Sequence, residues 1–272
     1  MIVYPGGLIA SELAAGRPMN YPRIGYDNYG RLTTASVTST TESISGPKDA
    51  PLRPDTLEYW SPTALPAEWV LNFGAAKSLG FIGIASHDLG SSGCTVTCHR
   101  STDGAIWTVF SSAHVPTDNS PILFLDTPVT ANYMRVTVTG GVTMPKLAVI
   151  YAAAVLAVQR PIFDGYKPIQ WNRKTVLFNK MSRRGHFLSQ LVKRGGLEAP
   201  ISLKFLTSTW YDANFEPFAK SARQYPYFFA HNPQLYTKAV AFGWTGEDMD
   251  PSYTGEIDYV DISWKMIALG HD

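Results

Sequence analysis

The residues that could carry out catalysis do not form a recognisable catalytic motif. Serine, histidine and aspartate are all present, but no serine lies in a G-x-S-x-G nucleophile elbow. His87 and Asp88 are neighbours in the chain, a spacing that says nothing about a catalytic triad. We therefore expect no hydrolase activity and, since no other catalytic motif is present, no enzyme.

An acidic cluster near the end of the chain could hold a cation. It comprises Glu247, Asp248, Asp250, Glu256, Asp258 and Asp261. The run Asp248-Met-Asp250 lacks the glycine and the terminal glutamate of a calcium-binding loop, which favours a solvated acidic loop. No P-loop and no G-x-G-x-x-G motif occurs, so we expect no nucleotide, no metal and no other cofactor.

The two cysteines, Cys94 and Cys98, are separated by three residues of a predicted strand. Their side chains would point the same way about 13 Å apart, which is too far for a disulfide. His99 is adjacent, but one C-x3-C pair is weak evidence for zinc. The pattern predicts two buried thiols in a reducing compartment.

Composition favours a β-rich protein with no strong charge. Aromatic residues make up 12% of the 272 residues and charged residues 17%, and the net charge of +1 gives no field that would attract nucleic acid. The longest apolar stretch, Leu147 to Val158, is shorter than the ~20 residues that span a bilayer. The N-terminus shows no basic region followed by an apolar core, so we expect no signal peptide and no membrane insertion.

The first half contains short β-like runs separated by turns, a pattern typical of a β-sandwich. The predicted strands are Glu68 to Phe73, Ser78 to Ala85, Cys94 to Arg100, Ile106 to Phe110, Pro121 to Phe124 and Tyr133 to Thr139. Residues 1–44 are rich in Gly, Pro, Ser and Thr, which predicts an extended N-terminal arm.

Three motifs of this half resemble the discoidin-like (coagulation factor 5/8 type C) domain. They are Trp69-Val-Leu-Asn-Phe-Gly, the hairpin Ser101-Thr-Asp-Gly-Ala-Ile-Trp107, and Tyr133-Met-Arg-Val-Thr-Val138. The resemblance implies a jelly-roll β-sandwich over residues 45–158 with Trp69 in its core. Trp60 and Trp107 are also expected in the core.

Discoidin-like domains bind ligands through loops at one end, which the resemblance places in six residues here. These are Tyr59, His87, Asp88, His114, Asn119 and Asn132. Aromatic faces pack on sugar C–H groups, and amides and imidazoles exchange hydrogen bonds with hydroxyls, so carbohydrate is the expected ligand class. The structural alternative is that Asp88 bonds its own backbone in a turn.

The second half, residues 159–272, combines half-buried strands with one short helix. Ile201, Leu203 and Phe205 alternate with polar residues, as do four apolar residues from Val260 to Met266. Asn214 is predicted to cap a helix with Pro217 in its first turn. Phe215, Phe218, Ala219 and Ala222 form the apolar face of that helix.

This half also resembles bacteriophage distal-tail proteins, which have a ring-forming β-barrel. The similar segments are Gly185 to Ser189, residues 201–206, Pro217-Phe218, Tyr225 to Pro233 and the C-terminal strand. The resemblance implies a second, β-barrel-like domain. It also implies a homo-oligomeric ring, trimeric or hexameric, that contacts tail tube and tail-hub proteins.

Charges are unevenly distributed in the second half. Basic residues concentrate from Lys167 to Arg194 without an acidic residue among them, and the acidic cluster follows later. Two solvated patches are one explanation. The other is a head-to-tail subunit interface, for which the candidate residues are Arg173, Lys174, Arg183, Arg184, Glu247, Asp248 and Asp250.

The combined expectation is a structural protein of a phage tail tip or baseplate. It would be assembled in the host cytoplasm and located in the virion, with a peripheral sandwich that touches host glycan or neighbouring tail proteins. The alternative is a free-standing carbohydrate-binding module or lectin.

Overall fold

A computed structural model describes residues 1–162, 166–255 and 258–270 and confirms the mainly β fold class. The strands are β1 (Ile2–Val3), β2 (Arg23–Gly25), β3 (Ser36–Ser39), β4 (Ala67–His87), β5 (Cys94–Ser101), β6 (Thr108–His114), β7 (Ile122–Gly140), β8 (Leu147–Ala153), β9 (Leu156–Ala157), β10 (Arg173–Met181), β11 (Phe187–Thr207), β12 (Tyr227–Ala230), β13 (Val240–Thr245), β14 (Pro251–Tyr253) and β15 (Tyr259–Ala268). The helices are α1 (Leu8–Ala14), α2 (Leu89–Ser92), α3 (Ser208–Trp210) and α4 (Glu216–Ala222), with a π turn at Tyr211–Phe215 and 3-10 turns at Tyr29–Arg31, Ala50–Leu52 and Ile169–Trp171.

Two long bent strands organise the first sheet, which has the order β3-β4-β7-β5-β6. β8 pairs with β4, and β1 pairs in parallel with β7. The β4–β7 register shifts between Asn72 and Lys77 and again between Leu79 and Phe81. Such bulges bend a strand without ending it. Each of the two strands therefore replaces two that the sequence predicted.

The core of the first sheet contains the predicted tryptophans, with one exception. Trp60 and Trp69 are fully buried, and the Trp69 indole N–H donates to the Lys48 carbonyl at 2.8 Å. Trp107 is only half-buried, so its predicted core position is wrong. Its ring lies 4.5 Å beneath the guanidinium carbon of Arg135, which alternates with the buried Met134 and Val136 of β7 and so lies on the outward face.

The second sheet has the order β10-β11-β15-β13-β12-β2-β9, with β14 paired to β15. Among the described residues no hydrogen-bonded pairing joins the edge strands β9 and β10, so the described strands form an open sheet. The predicted helix exists as α4, and Phe218, Ala219 and Ala222 are buried as expected. Asn214 does not cap it. The π turn at Tyr211–Phe215 directly precedes α4 and extends the helical backbone toward the N-terminus. Within it, the Asn214 side chain donates to the carbonyl of Trp210.

The first 44 residues contribute strands to both sheets, which differs from the predicted extended arm. β1 and β3 belong to the first sheet, and β2 lies between β12 and β9 of the second. The physical reason is burial, because Ile2, Ile24 and Val37 are each less than 10% exposed.

The two sheets pack directly on each other. Phe228 and Phe242 of the second sheet belong to the same buried cluster as Phe81 and Tyr151 of the first. Gly83 permits this approach, since a Cβ there would lie 2.6 Å from the Phe228 ring. The boundaries 45–158 and 159–272 stay predictions, because this shared core crosses them. Within the described ranges no helix is long and apolar enough to span a membrane.

Candidate functional site

Four of the six predicted ligand-binding residues line one cleft of about 400 Å³. They are Tyr59, His87, Asp88 and Asn119, and they are joined by Thr56, Ser86, Lys146, Ala148, Leu269 and Gly270. We call this space the junction cleft, because Leu269 and Gly270 follow the last strand of the second sheet while the other residues belong to the first half. Its volume is in the range of small-molecule sites.

His87 shapes the junction cleft from within. It ends β4 and is only 6% exposed. Its Nε2 lies 2.9 Å from the carbonyl oxygen of Ser120, and its Nδ1 accepts from the backbone N–H of Leu89 at 3.3 Å. This geometry fits a neutral ring protonated on Nε2. The imidazole therefore holds the loop before β7 and the start of α2 in place.

Asp88 connects two loops that are distant in sequence. Its Oδ1 accepts a hydrogen bond from the backbone N–H of Lys146 at 2.6 Å. The backbone N–H of Asp88 donates to the carbonyl of Lys146 at 3.2 Å. The alternative that Asp88 only bonds its own turn is therefore wrong. Its carboxylate fixes the loop before β8 and lies at the cleft wall.

Tyr59 and Asn119 provide the groups best suited to a polar ligand with flat faces. The Lys146 ammonium lies 4.9 Å from the centre of the Tyr59 ring. The Asn119 amide exchanges hydrogen bonds with Ser91, accepting from its backbone N–H at 3.2 Å. Both side chains are half-buried. The cleft thus brings together an aromatic face, an amide, a carboxylate and a cation.

His114 and Asn132 do not line the junction cleft. His114 lies opposite Val96 at the end of β6, where burial and the nearby N-terminal ammonium lower the pKa of its imidazole. Asn132 follows Ala131, which pairs with Lys77. It is ten residues beyond Ile122, or roughly 30 Å further along β7.

Lys146 is one of six described cleft residues that the sequence did not indicate. It lies directly before β8, and the apolar residues of that strand predict a buried segment and give no sign that the preceding lysine lines a cleft. Leu269 and Gly270 were also missed, because no local pattern shows that the end of β15 meets the first sheet.

The cysteines lie where the sequence predicted them. Both are free and buried on β5, and burial raises the pKa of each thiol. No group of His, Cys, Asp and Glu suited to a metal ion occurs among the residues that the structure describes.

Some of the residues predicted for a subunit interface pair within the chain. Lys174 Nζ lies 2.8 Å from Glu198, and Asp248 lies 2.8 Å from Arg223. The others are exposed at the surface, namely Arg173, Arg183, Arg184, Glu247 and Asp250. Glu256 of the acidic cluster and the side chain of Arg194 lie outside the described part of the chain.

Arg183 and Arg184 occupy the turn of a projecting hairpin formed by β10 and the start of β11. Its exposed apolar residues are Val176, Leu177, Phe178, Met181, Phe187, Leu188, Leu191 and Val192, each 47% exposed or more. Leu177 pairs with Val192 and the next residue, Phe178, with Leu191, so apolar pairs lie on both faces. β15 pairs with β11 only from Leu197 onward, so the hairpin extends beyond the sheet.

Comparisons with known proteins give matches only among solved structures. No family model matches the chain, and no curated protein does. A family 32 carbohydrate-binding module from Clostridium perfringens NanJ, in complex with galactose, is 17% identical. The match covers 48% of this chain and 98% of that one, with a TM-score of 0.40.

Two further modules give similar values. CpGH89CBM32-5 from Clostridium perfringens, in complex with GalNAc-β-1,3-galactose, is 15% identical over 44% of this chain and 96% of that one, with a TM-score of 0.40. Chitosan-binding module 1 from a Paenibacillus sp. IK-5 chitosanase/glucanase is 15% identical over 47% and 99%, also at 0.40. At these identities and scores the likeness carries no argument about what this chain binds.

Proposed function

We propose that this chain is a non-catalytic carbohydrate-binding protein and that the junction cleft holds the sugar. The observation that carries the proposal is the convergence of Tyr59, Asp88, Asn119 and Lys146 on one cleft of about 400 Å³. A sugar presents apolar C–H groups on its ring faces and hydroxyls around its rim. An aromatic ring suits the faces, and the amide, carboxylate and ammonium suit the hydroxyls.

Hydrogen bonds already hold the wall of the junction cleft in place, so the site is preformed. Asp88 is fixed by the Lys146 backbone, and His87 is held through both ring nitrogens. Side chains that are already positioned lose little conformational freedom when a ligand binds. The site therefore needs no rearrangement of the β4 end to bind a saccharide.

A saccharide panel tests this proposal by isothermal titration calorimetry, with affinities compared between variants. Tyr59→Ala removes the aromatic face and should weaken binding at least tenfold, since stacking contributes about 1.4 kcal/mol or more. Asn119→Ala should weaken it as well. Tyr253→Ala is the matched control, because Tyr253 is 76% exposed on β14 and does not line the cleft. Unchanged affinity in Tyr59→Ala would refute the assignment of the cleft.

The projecting hairpin favours a second candidate function, a homo-oligomeric ring in a phage tail tip. Large apolar side chains exposed on both faces of a hairpin are typical of surfaces that another chain covers. The basic turn at Arg183 and Arg184 and the exposed acidic residues Glu247 and Asp250 are complementary in charge. These features favour self-association. A trimer or hexamer in the virion that contacts tail tube and tail-hub proteins is what the sequence resemblance to distal-tail proteins implies.

Light scattering coupled to size exclusion tests this second candidate. The double variant Arg183→Glu/Arg184→Glu should leave the chain folded and abolish the oligomer. Lys204→Glu/Lys238→Glu makes the same change of charge at other exposed positions and should leave the oligomer intact. A monomeric wild-type protein, or an oligomer that persists in the hairpin variant, would refute it.

A further inference from the structure

A second recess, separate from the junction cleft, lies beside the second sheet. It has a volume of about 370 Å³ and is lined by Asn20, Pro161, Ile162, Tyr166, Pro168, Trp171, His231, Asn232 and Tyr236. We call it the aromatic groove. None of its described lining residues also lines the junction cleft. Its described lining comes from three places: the end of the loop before β2, residues 161–162 and 166–171 between β9 and β10, and the loop after β12.

Three aromatic rings form a row along this groove. The Tyr166 and His231 rings lie 4.6 Å apart, and the His231 and Tyr236 rings are stacked 5.0 Å apart with an interplanar angle of 25°. Trp171 is 66% exposed at the end of a 3-10 turn, and Tyr236 is 51% exposed. Exposed rings of this size present a flat apolar surface that a ligand would remove from water.

The described lining of the aromatic groove is uncharged. It contains none of Asp, Glu, Lys and Arg among the residues that the structure places there. Burial lowers the pKa of His231 to about 4, so its imidazole is neutral at pH 7.

Amide groups flank the rings. Asn20 is exposed at one side, and Asn232 is held in place because its Oδ1 accepts from the backbone N–H of Leu235 at 3.0 Å. Amides offer both donors and acceptors, as sugar hydroxyls require. A proline-rich peptide would need an extended series of aromatic-walled pockets, whereas this recess has the volume of a single compact ligand.

From the ring row and the flanking amides, we propose that the aromatic groove is a second saccharide site. It adds to the proposed carbohydrate-binding function a site on the other half of the chain. A protein that binds sugar in two places holds a multivalent glycan surface more tightly than either site does alone, where the geometry allows both to engage.

The test uses methyl glycosides of galactose, glucose, mannose and N-acetylglucosamine as probes of the full chain. Acrylamide quenching of tryptophan fluorescence should fall when a bound sugar covers Trp171. In Tyr236→Ala, which keeps Trp171 as the probe, at least fivefold more sugar should be needed for the same protection. Trp244→Ala is the matched control, because Trp244 is 40% exposed on β13 outside the groove, and it should keep the protection.

Variants of the two sites separate this inference from the proposed function. Tyr59→Ala should weaken binding in the junction cleft at least tenfold and leave the protection of Trp171 intact. Trp171→Ala should leave the affinity of the junction cleft unchanged in isothermal titration calorimetry. If Trp171 is protected in Tyr59→Ala, the groove binds sugar even where the cleft has failed. Two outcomes would overturn the inference: no glycoside protects Trp171, or a proline-rich peptide protects it while the glycosides do not. Isothermal titration calorimetry, which needs no tryptophan in the groove, should show partial groove binding in Trp171→Phe and so exclude a folding defect.

Discussion

The contact between Gly83 and Phe228 should behave as a coupled pair that joins the two sheets. A Cβ on Gly83 would lie 2.6 Å from Cε2 of the Phe228 ring, closer than real Cβ contacts allow. Gly83→Ala alone should therefore destabilise the protein by about 1–3 kcal/mol through overpacking. Phe228 is fully buried against Tyr151 and Phe242, so Phe228→Ala should cost about 3–5 kcal/mol.

The double variant decides whether these two costs have a common origin. Once the Phe228 ring is absent, the added methyl group of Gly83→Ala enters the vacated space and no longer clashes. The double variant should then be more stable than the sum of the single effects predicts, by about 1–3 kcal/mol. Gly6→Ala is the control and should be close to neutral, because nothing in the described part of the chain other than its own chain neighbours lies within 4 Å of its Cβ position.

Urea unfolding followed by tryptophan fluorescence measures these free energies. All variants should share one slope of unfolding free energy against urea, since the same surface is exposed. If the two substitutions add to within about 0.5 kcal/mol, the ring of Phe228 does not meet Gly83 and the sheets do not pack as described. The same result would remove the physical basis for the junction cleft, whose walls come from both halves.

Three further predictions concern buried ionisable groups. Cys94 and Cys98 should not react with Ellman's reagent in the native state, because both thiols are buried with raised pKa values, and they should react on unfolding. Glu12→Gln should lower the free energy of unfolding by about 3–5 kcal/mol, because the guanidinium of Arg23, which is 1% exposed, loses its buried carboxylate partner. The control Glu58→Gln, at an exposed ion pair, should lower it by less than about 1 kcal/mol in the same urea titration. Burial lowers the pKa of His231 from 6.5 to about 4, so between those values the unfolded chain binds a proton that the native chain does not. Stability should therefore fall as pH drops from 6.5 to 4, and the fall should be smaller in His231→Gln; an equal fall would contradict the assignment to His231.

Local patterns in the sequence predicted several elements correctly because their causes are local. Alternating apolar residues indicated β15, and a short β-like run indicated β5. The motif Ser101 to Trp107 indicated a hairpin, and its Gly104 has the positive φ that the turn requires. The apolar face of α4 was visible for the same reason. The long strands β4 and β7 were each predicted as two, because a bulge resembles a turn in sequence.

The sequence by itself determined that the chain is mainly β, that Trp60 and Trp69 are core residues, and that Tyr59, His87, Asp88 and Asn119 are candidates for binding. Tertiary structure decided which candidates meet. Lys146 reaches Asp88 across 58 residues of chain, and Leu269 comes from the far end of the protein. It also decided that Asn132 lies away from the cleft. The physical reason is that strand alternation and turn chemistry act over a few residues, whereas a cleft depends on how bent strands and whole sheets pack.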